Sequence, residues 1–361
     1  SISRRRFLKN TMVTGAAISA FPSVFIRKAE GKWTQKSIVH PNVDNLRVVS
    51  IIDQRMTQGK NVASPWKSQE KLVVTDVVWE NIDKLACALV QTKNSHDAWK
   101  GIFIKPPIKS WSDTVVAIKT NNIAKQHTRS AVMGKICHTL TDTVGIKPTN
   151  IHIYDAVHGK RMSTETPFSG LPEGCRIEDR WGGITRPTYV SSPNERYKGK
   201  TKCLKHLVTG HVDILINIAM CKGHSERFGG FTMTMKNHLG TFSPAPAHQG
   251  GDLDYVIAIN QSSEILGPMN KKTGVVLYPR QQLCLIDGLW ASKGGPGGYP
   301  TDQPNFLAMG VMSPAVDYQV ATKFRDEKMG WNVNRTATRQ ILTDFGYTES
   351  DLPHAGKLIE L

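Results

Sequence analysis

Short apolar runs alternate along this chain with segments whose apolar residues recur every three or four positions. Residues 46–53 (Leu-Arg-Val-Val-Ser-Ile-Ile-Asp) read as a strand. Residues 75–91 carry Val77, Val78, Ile82, Leu85, Ala86 and Leu89 at helical spacing, with Thr75 placed to cap them. A β-branched strand is predicted at 114–119, a helix from about 128 to 144, and another strand at 150–155. Residues 159–202 break the rhythm with scattered Pro, Gly, Ser and charge, and read as an insertion or small subdomain of the kind that forms a lid. The alternation then returns, with strands at 212–219, 282–287 and 306–312 and helices at 253–266, 315–328 and 336–345. The pattern predicts an α/β fold: a single domain over residues 30–361, built on a largely parallel sheet with helices on both faces.

Ligands bind such sheets beyond the carboxyl ends of the strands, and here polar groups end every apolar run. Lys119 and Asn121 follow the 114–118 run, Asp155 the 150–154 run, and Cys221, Lys222 and His224 the 214–220 run. Asp287 ends the next strand, and Asp317 lies one turn beyond the last. Taken singly, each has a plain structural use: Asp155 or Asp287 caps a helix, and Lys119 is solvated. Taken together, Lys119, Lys222 and the nearby Lys236 make a positive pocket suited to phosphate, carboxylate or another anion. Asn121 and Asn237 would orient that ligand, and Asp287 and Asp317 would balance the lysines or hold a hard cation. His224, and His248 in a Pro/Gly-rich loop at 243–251, are candidates with Asp287 for catalytic proton transfer. Cys221 and His224 stand in C-x-x-H spacing and are candidate metal ligands, although two residues do not make a site. Two glycine-rich stretches, Gly229-Gly230 and residues 294–298, frame the region, and neither matches a phosphate-binding P-loop or G-x-G-x-x-G.

The formal charge of +16 over 361 residues favours anionic ligands, acidic partner proteins or lipid headgroups. Part of that charge has its own explanation. Residues 3–9, Ser-Arg-Arg-Arg-Phe-Leu-Lys, follow the pattern of a twin-arginine export signal, and an acid-free, weakly apolar stretch at 11–26 follows them. That stretch is short and rich in Gly, Ala, Ser and Thr, which suits a removable signal better than a permanent membrane span. The expectation is a signal segment at residues 1–29, read by the twin-arginine translocase, and a mature protein that is periplasmic or otherwise extracytoplasmic. It would carry no stable transmembrane segment unless the signal is retained. A nucleic-acid-binding basic arm is the alternative use of the arginines, but nucleic acid is not an expected partner of an exported protein. The six cysteines include no C-x-x-C pair, which excludes a ferredoxin-type cluster run, a zinc ribbon and a c-type haem attachment motif. A chain that folds before export keeps most of its cysteines as small buried groups, with one or two bridges able to form later.

The strand-end residues also carry a resemblance. Val116-Ala117-Ile118-Lys119-Thr120-Asn121, then Asp213-Ile214-Leu215-Ile216-Asn217 running into Lys222-Gly223-His224, then residues 232–240 (T-M-T-M-K-N-H-L-G), His248, Asp287-Gly288 and Ser313-Pro314-Ala315-Val316-Asp317 occur in that order. Together they resemble the bacterial and archaeal domain-of-unknown-function family 362, often labelled iron–sulfur centre proteins, over approximately residues 46–342. The resemblance implies one pocket lined by Lys119, Asn121, Lys222, His224, Lys236, Asn237, His248, Asp287 and Asp317. Many members of that family carry an added ferredoxin segment; this chain has none, so the iron–sulfur label does not carry over and the cofactor is left unknown. Two functions are expected from these residues. One is an exported protein that binds an anionic small molecule, or a metal or redox cofactor, in this pocket, with or without catalysis. The other is a non-catalytic accessory subunit whose basic surface docks on an acidic redox protein. A solute-binding protein is the weaker third, because two lobes are not visible in the pattern.

Overall fold

Valine, isoleucine and leucine crowd the apolar runs in the middle of the chain, and those runs become the inner strands of one sheet. The computed structural model describes residues 40–361 apart from 124, 157–160, 193–194, 271–274 and 353–358. The signal segment read at 1–29 lies outside the described residues. The strands are β1 (Val49–Ile52), β2 (Val116–Lys119), β3 (Ile151–Tyr154), β4 (Arg176–Glu178), β5 (Ile184–Ser191), β6 (Lys198–Leu204), β7 (Ile214–Met220), β8 (Lys222–Gly223), β9 (Phe231–Thr232), β10 (Gln281–Gly288), β11 (Phe306–Gly310) and β12 (Ile359–Glu360). Eight of them make the main sheet, in the order β12-β1-β11-β10-β7-β2-β3-β4. Every neighbouring pair is parallel except the two made by β11, which runs against both β1 and β10.

Among the helices that flank this sheet are α1 (Trp66–Glu70), α2 (Thr75–Val90), α3 (Ser95–Ile102), α4 (Ser130–His138), α5 (Thr234–Asn237), α6 (Asp252–Asn260), α7 (Ser313–Gln319) and α8 (Arg335–Thr343). Because strand side chains alternate, β2 sends Val116 and Ile118 to one face and Ala117 to the other. The first face packs on α2, α3 and α4. From α2 it buries Val78, Ile82, Leu85, Ala86 and Leu89, one stripe at three- and four-residue spacing. Each large apolar side chain so buried is worth about 1.5–3 kcal/mol. The second face packs on α6, α7 and α8 and on the ribbon β5–β6. Strands β2, β3 and β7 are buried along their whole length, as central parallel strands covered on both faces must be.

The chain leaves β2 toward β3 and β4, but leaves β7 the other way, toward β10 and β11. A reversal of that kind opens a crevice at the carboxyl ends of the two strands, here β2 and β7.

Several sequence expectations need revision. Thr75 does not cap α2; Val74 occupies that position without a side-chain bond, and Thr75 is the first helical residue. The helix expected at 253–266 ends at Asn260, and a separate turn follows at Ser263–Leu266. The strand expected at 306–312 is present but antiparallel. The irregular stretch 159–202 contains the edge strand β4 and most of the ribbon β5–β6, whose outer face hides its alternation under Lys198, Lys200 and Lys202. Among the described residues no helix is long and apolar enough to cross a membrane.

Candidate functional site

The expected pocket residues divide into two groups at the carboxyl end of the sheet. The inner group sits at the β2–β7 crevice. Lys119 ends β2 on the face opposite Ile118, and its side chain is 1 % exposed. Its Nζ donates to the Thr120 carbonyl at 2.5 Å and to Asn237 Oδ1 at 3.2 Å, and stands 3.4 Å from Asp155 Oδ2. Lys222, fully buried, donates from Nζ to Asn121 Oδ1 at 2.6 Å and to the Gln126 carbonyl at 2.8 Å. Asn121 Nδ2 donates in turn to Asn237 Oδ1 at 3.1 Å, and Asn237 Nδ2 donates to Asn217 Oδ1 at 2.8 Å. Lys119, Asn121, Lys222 and Asn237 are therefore one hydrogen-bonded network whose ammonium groups are sealed from solvent, and not part of a single open pocket with the other expected residues. Burial lowers the pKa of Lys119 and pulls that of Lys222 well below the usual lysine range, Asp155 opposing in both cases.

Two loops do the sealing. Residues 121–123 and 125–128 fold over Lys222, and the glycine-rich loop closes on them: Gln126 Nε2 donates to Ser292 Oγ at 3.1 Å and to the Gly298 carbonyl at 3.0 Å, and Gly223 N donates to the Gly294 carbonyl at 3.2 Å. Only a glycine fits at 223, since a β-carbon there would lie 2.0 Å from the Lys293 carbonyl oxygen. The seal is polar inside. Both amide atoms of the fully buried Asn122, together with Gln126 Oε1 and Asp155 Oδ1, have no hydrogen-bond partner among the described residues. Each such group costs about 1–3 kcal/mol, so this closure is held less firmly than the sheet beneath it.

Asp287 borders the inner group, where its Oδ2 accepts from Arg129 N at 2.8 Å and its Oδ1 from Leu289 N at 3.2 Å. Complete burial raises its pKa, with Arg129 opposing. Arg129, also fully buried, lies with Cζ 4.2 Å from the Trp290 ring centroid and donates from Nη2 to Gln69 Oε1 at 2.7 Å. Asp287 thus anchors backbone rather than facing an open cleft.

The outer group surrounds the buried ring of Phe228. His224 lies 4.8 Å from it edge-on and His248 5.9 Å, while Lys236 Nζ stands 4.6 Å and Arg227 Cζ 5.3 Å from its centroid. Chain geometry explains the gathering. His224 follows the β8 strand that carries Lys222, Arg227 and Phe228 lie in the turn between β8 and β9, and α5 begins two residues after β9 and presents Lys236. His248 comes from the next loop and is exposed.

The charges that act on His224 are Lys236, His248 and Arg227. With burial as the larger cause, they hold its pKa down to about 3. Burial, then Arg227, brings Lys236 down to about 8. His248 is lowered by burial, then by Lys236 and Arg227, with Asp252 opposing. Asp252 Oδ1 stands 3.3 Å from Arg227 Nη1 and is the nearby counter-charge. At neutral pH the cluster offers a charged lysine and arginine with two neutral imidazoles, a combination of charge and hydrogen-bonding groups suited to an oxyanion.

Asp317 lines a small cavity with Phe228 and Lys236 of the outer group, and Cys221 joins neither group. Asp317 is fully occupied at the start of α5: Oδ1 accepts from Thr234 N at 2.8 Å and Thr234 Oγ1 at 2.5 Å, and Oδ2 from Met235 N at 2.9 Å. Burial pushes its carboxyl up to about 7 against the pull of those three donors. Cys221 is buried in the core with Arg325 Nη1 3.8 Å from its sulfur, and burial raises its pKa, so it remains a thiol. Among the described residues no group of three or more His, Cys, Asp or Glu side chains is placed to hold a metal ion. Arg227, Phe228 and Arg129 escaped the sequence reading. The first two directly precede the noted Gly229-Gly230 pair, which is the one signal that could have drawn attention to them.

No curated protein and no solved structure matches the chain. A family model described as Domain of unknown function (DUF362) matches residues 116–322, a span that runs from the start of β2 beyond α7, and the chain belongs to that family.

Proposed function

We propose that the protein binds a small oxyanion, a carboxylate or a phosphate, on the basic side chains gathered around Phe228. The observation that carries this reading is the gathering of basic groups there: the cations Lys236 and Arg227 share one ring with the imidazoles of His224 and His248, and Asp252 is the counter-charge. An anion would offset the repulsion that, after burial, lowers the proton affinities of Lys236, His224 and His248. Lys236 supplies the charge, His224 and His248 hydrogen bonds, and His248, being exposed, is the group placed to exchange a proton with solvent or ligand. Export by the twin-arginine route belongs to the same proposal and rests on residues 3–9.

Titration calorimetry with inorganic phosphate, pyrophosphate and citrate tests the site. At least one should bind the native protein, and Lys236→Ala should weaken it by roughly tenfold to a hundredfold, the worth of one charged hydrogen bond. The pH dependence has a definite sign. A bound anion raises the pKa of Lys236, so affinity is full below about pH 8 and falls as pH rises above it. An unchanged affinity in a folded Lys236→Ala protein, or no binding of any of the three anions, sinks the reading.

The alternative of docking on an acidic partner draws support from the ribbon β5–β6, where Arg186, Lys198, Lys200 and Lys202 are exposed around Tyr189, itself 54 % exposed. Binding through that face would weaken steeply with salt and would be indifferent to Lys236→Ala.

A further inference from the structure

Asp252 is an acid that bears directly on the basic cluster. Its Oδ1 stands 3.3 Å from Arg227 Nη1, and at His248, where burial and then Lys236 and Arg227 lower the pKa, Asp252 opposes them. The contact with Arg227 is loose. Asp252 Oδ1 is buried yet accepts no hydrogen bond among the described residues, so the arginine gives it charge without a well-aligned N–H. The Arg227 and Asp252 side chains are 49 % and 31 % exposed, and ion pairs so open to water hold weakly. The two partners differ in freedom. Asp252 has φ 40° and ψ −129°, a backbone conformation that residues with a β-carbon rarely adopt. The chain fixes it there: α6 begins at Asp252, and a β-carbon on the preceding Gly251 would lie 2.7 Å from the Pro246 carbonyl oxygen and 2.9 Å from Tyr255 Cβ. Arg227, in the turn between β8 and β9, instead rests its guanidinium on Phe228 at the end of a flexible stem.

We propose that Asp252 is a built-in competitor for the anion: its carboxylate holds Arg227, and a bound oxyanion takes Arg227 over from it. The proposal rests on the oxyanion reading of the cluster and adds the regulation of that site. A guanidinium fork matches carboxylate and phosphate alike, so Asp252 offers Arg227 the same chemistry that the ligand brings. Lys236 and the two imidazoles meet the anion, Arg227 turns from Asp252 to close on it, and Asp252, held by the main chain, stays behind as a fixed negative charge. Asp252 thereby lowers affinity in two ways. It occupies the arginine before binding, and it repels the anion afterwards. A site built in this way captures its ligand loosely and releases it readily.

The test is a double-mutant cycle read by titration calorimetry, using whichever of phosphate, pyrophosphate and citrate the native protein binds. Asp252→Asn keeps the shape of the side chain and removes its charge, and it should tighten binding by roughly tenfold. Arg227→Gln should weaken binding by roughly tenfold. Adding Asp252→Asn to Arg227→Gln should then recover only about twofold to threefold, because the repulsion is relieved but no arginine is set free. A purely structural role for Asp252 would not make its effect depend on residue 227. If Asp252→Asn fails to fold, Asp252→Gly, which suits the backbone angle and also lacks the carboxylate, gives the same comparison. An affinity at or below the native value in the folded Asp252 variant, or an equal gain with and without Arg227, overturns the proposal and leaves the oxyanion reading standing. A native protein that binds none of the three anions overturns both.

Discussion

Gly240 sets how closely the backbone approaches the buried lysine. A β-carbon there would lie 2.6 Å from Asp155 Oδ1, 2.6 Å from Lys119 Cε and 2.9 Å from Lys119 Nζ. Neither partner can give way, because Lys119 is fixed by Thr120 and Asn237 and Asp155 receives the Asn122 amide at 3.2 Å. Gly240→Ala is therefore expected to destabilise the protein by about 2–4 kcal/mol, read as a lowered urea midpoint; a midpoint within error of the native value would show that the lysine moves freely. Single residues were partly legible in advance. Lys119, Asn121, Lys222 and Asn237 could be paired from their places at strand ends and in the quoted motifs. Their sealing could not, because the residues that cover them come from loops about 170 positions apart in sequence, and local pattern carries no trace of that contact.

At the scale of elements, α5 is four residues long and could not persist alone, since nucleating a helical turn is unfavourable. Asp317, reaching across from α7, takes three hydrogen bonds from its first turn and supplies what propensity does not. Asp317→Asn would turn an amide N–H toward the Thr234 or Met235 N–H, donor against donor, at a cost of about 1–3 kcal/mol. Because α5 carries Lys236, the same substitution should weaken oxyanion binding although residue 317 touches no ligand. Calorimetry and urea unfolding on one preparation check both; loss of stability with native affinity would uncouple the cap from the site. The strands of the β/α alternation were readable to within three residues, since apolar periodicity reports burial directly. The direction of β11 was not, because a strand buried on both faces has the same composition whichever way it runs. The ribbon was missed where outward lysines and Pro187 masked a period of two.

Across the whole molecule, stability should respond to acid through histidines that the fold keeps neutral. His238 is fully buried between Asn217 Nδ2 at 3.0 Å, Gln281 Oε1 at 2.8 Å and Thr241 Oγ1 at 3.1 Å, and burial holds its pKa at about 3. His40 is held at about 4, also by burial. In the unfolded chain both protonate near 6.5. Their contribution is therefore complete above about pH 6.5 and is lost as pH falls toward 3–4, roughly 4 kcal/mol for His238 alone. Asp317 and Asp287, with raised pKa values, act in the opposite sense and recover part of the loss. Urea unfolding at pH 7 and pH 4 should show the native protein losing stability on acidification and His238→Gln losing less. Equal losses in the two proteins would assign acid sensitivity elsewhere.

The reversed strand has a consequence for how this site can be remodelled. Since β11 runs against β10, with Gly288 opposite Phe306, the excursion between them leaves and re-enters the sheet at the same end. A parallel successor would have had to carry the chain back to the far end through a helix. Instead residues 289–305 form an overhang with both feet beside the Lys222 crevice. Its glycine-rich part, 294–298, has Gly294, Gly295, Gly297 and Gly298 exposed. The exposed tip of that overhang can lengthen without rethreading a single strand, whereas Gly295, where a β-carbon would lie 1.5 Å from the Gly223 carbonyl oxygen, stays fixed, so the roof of the crevice can grow outward while its contact with the floor is kept.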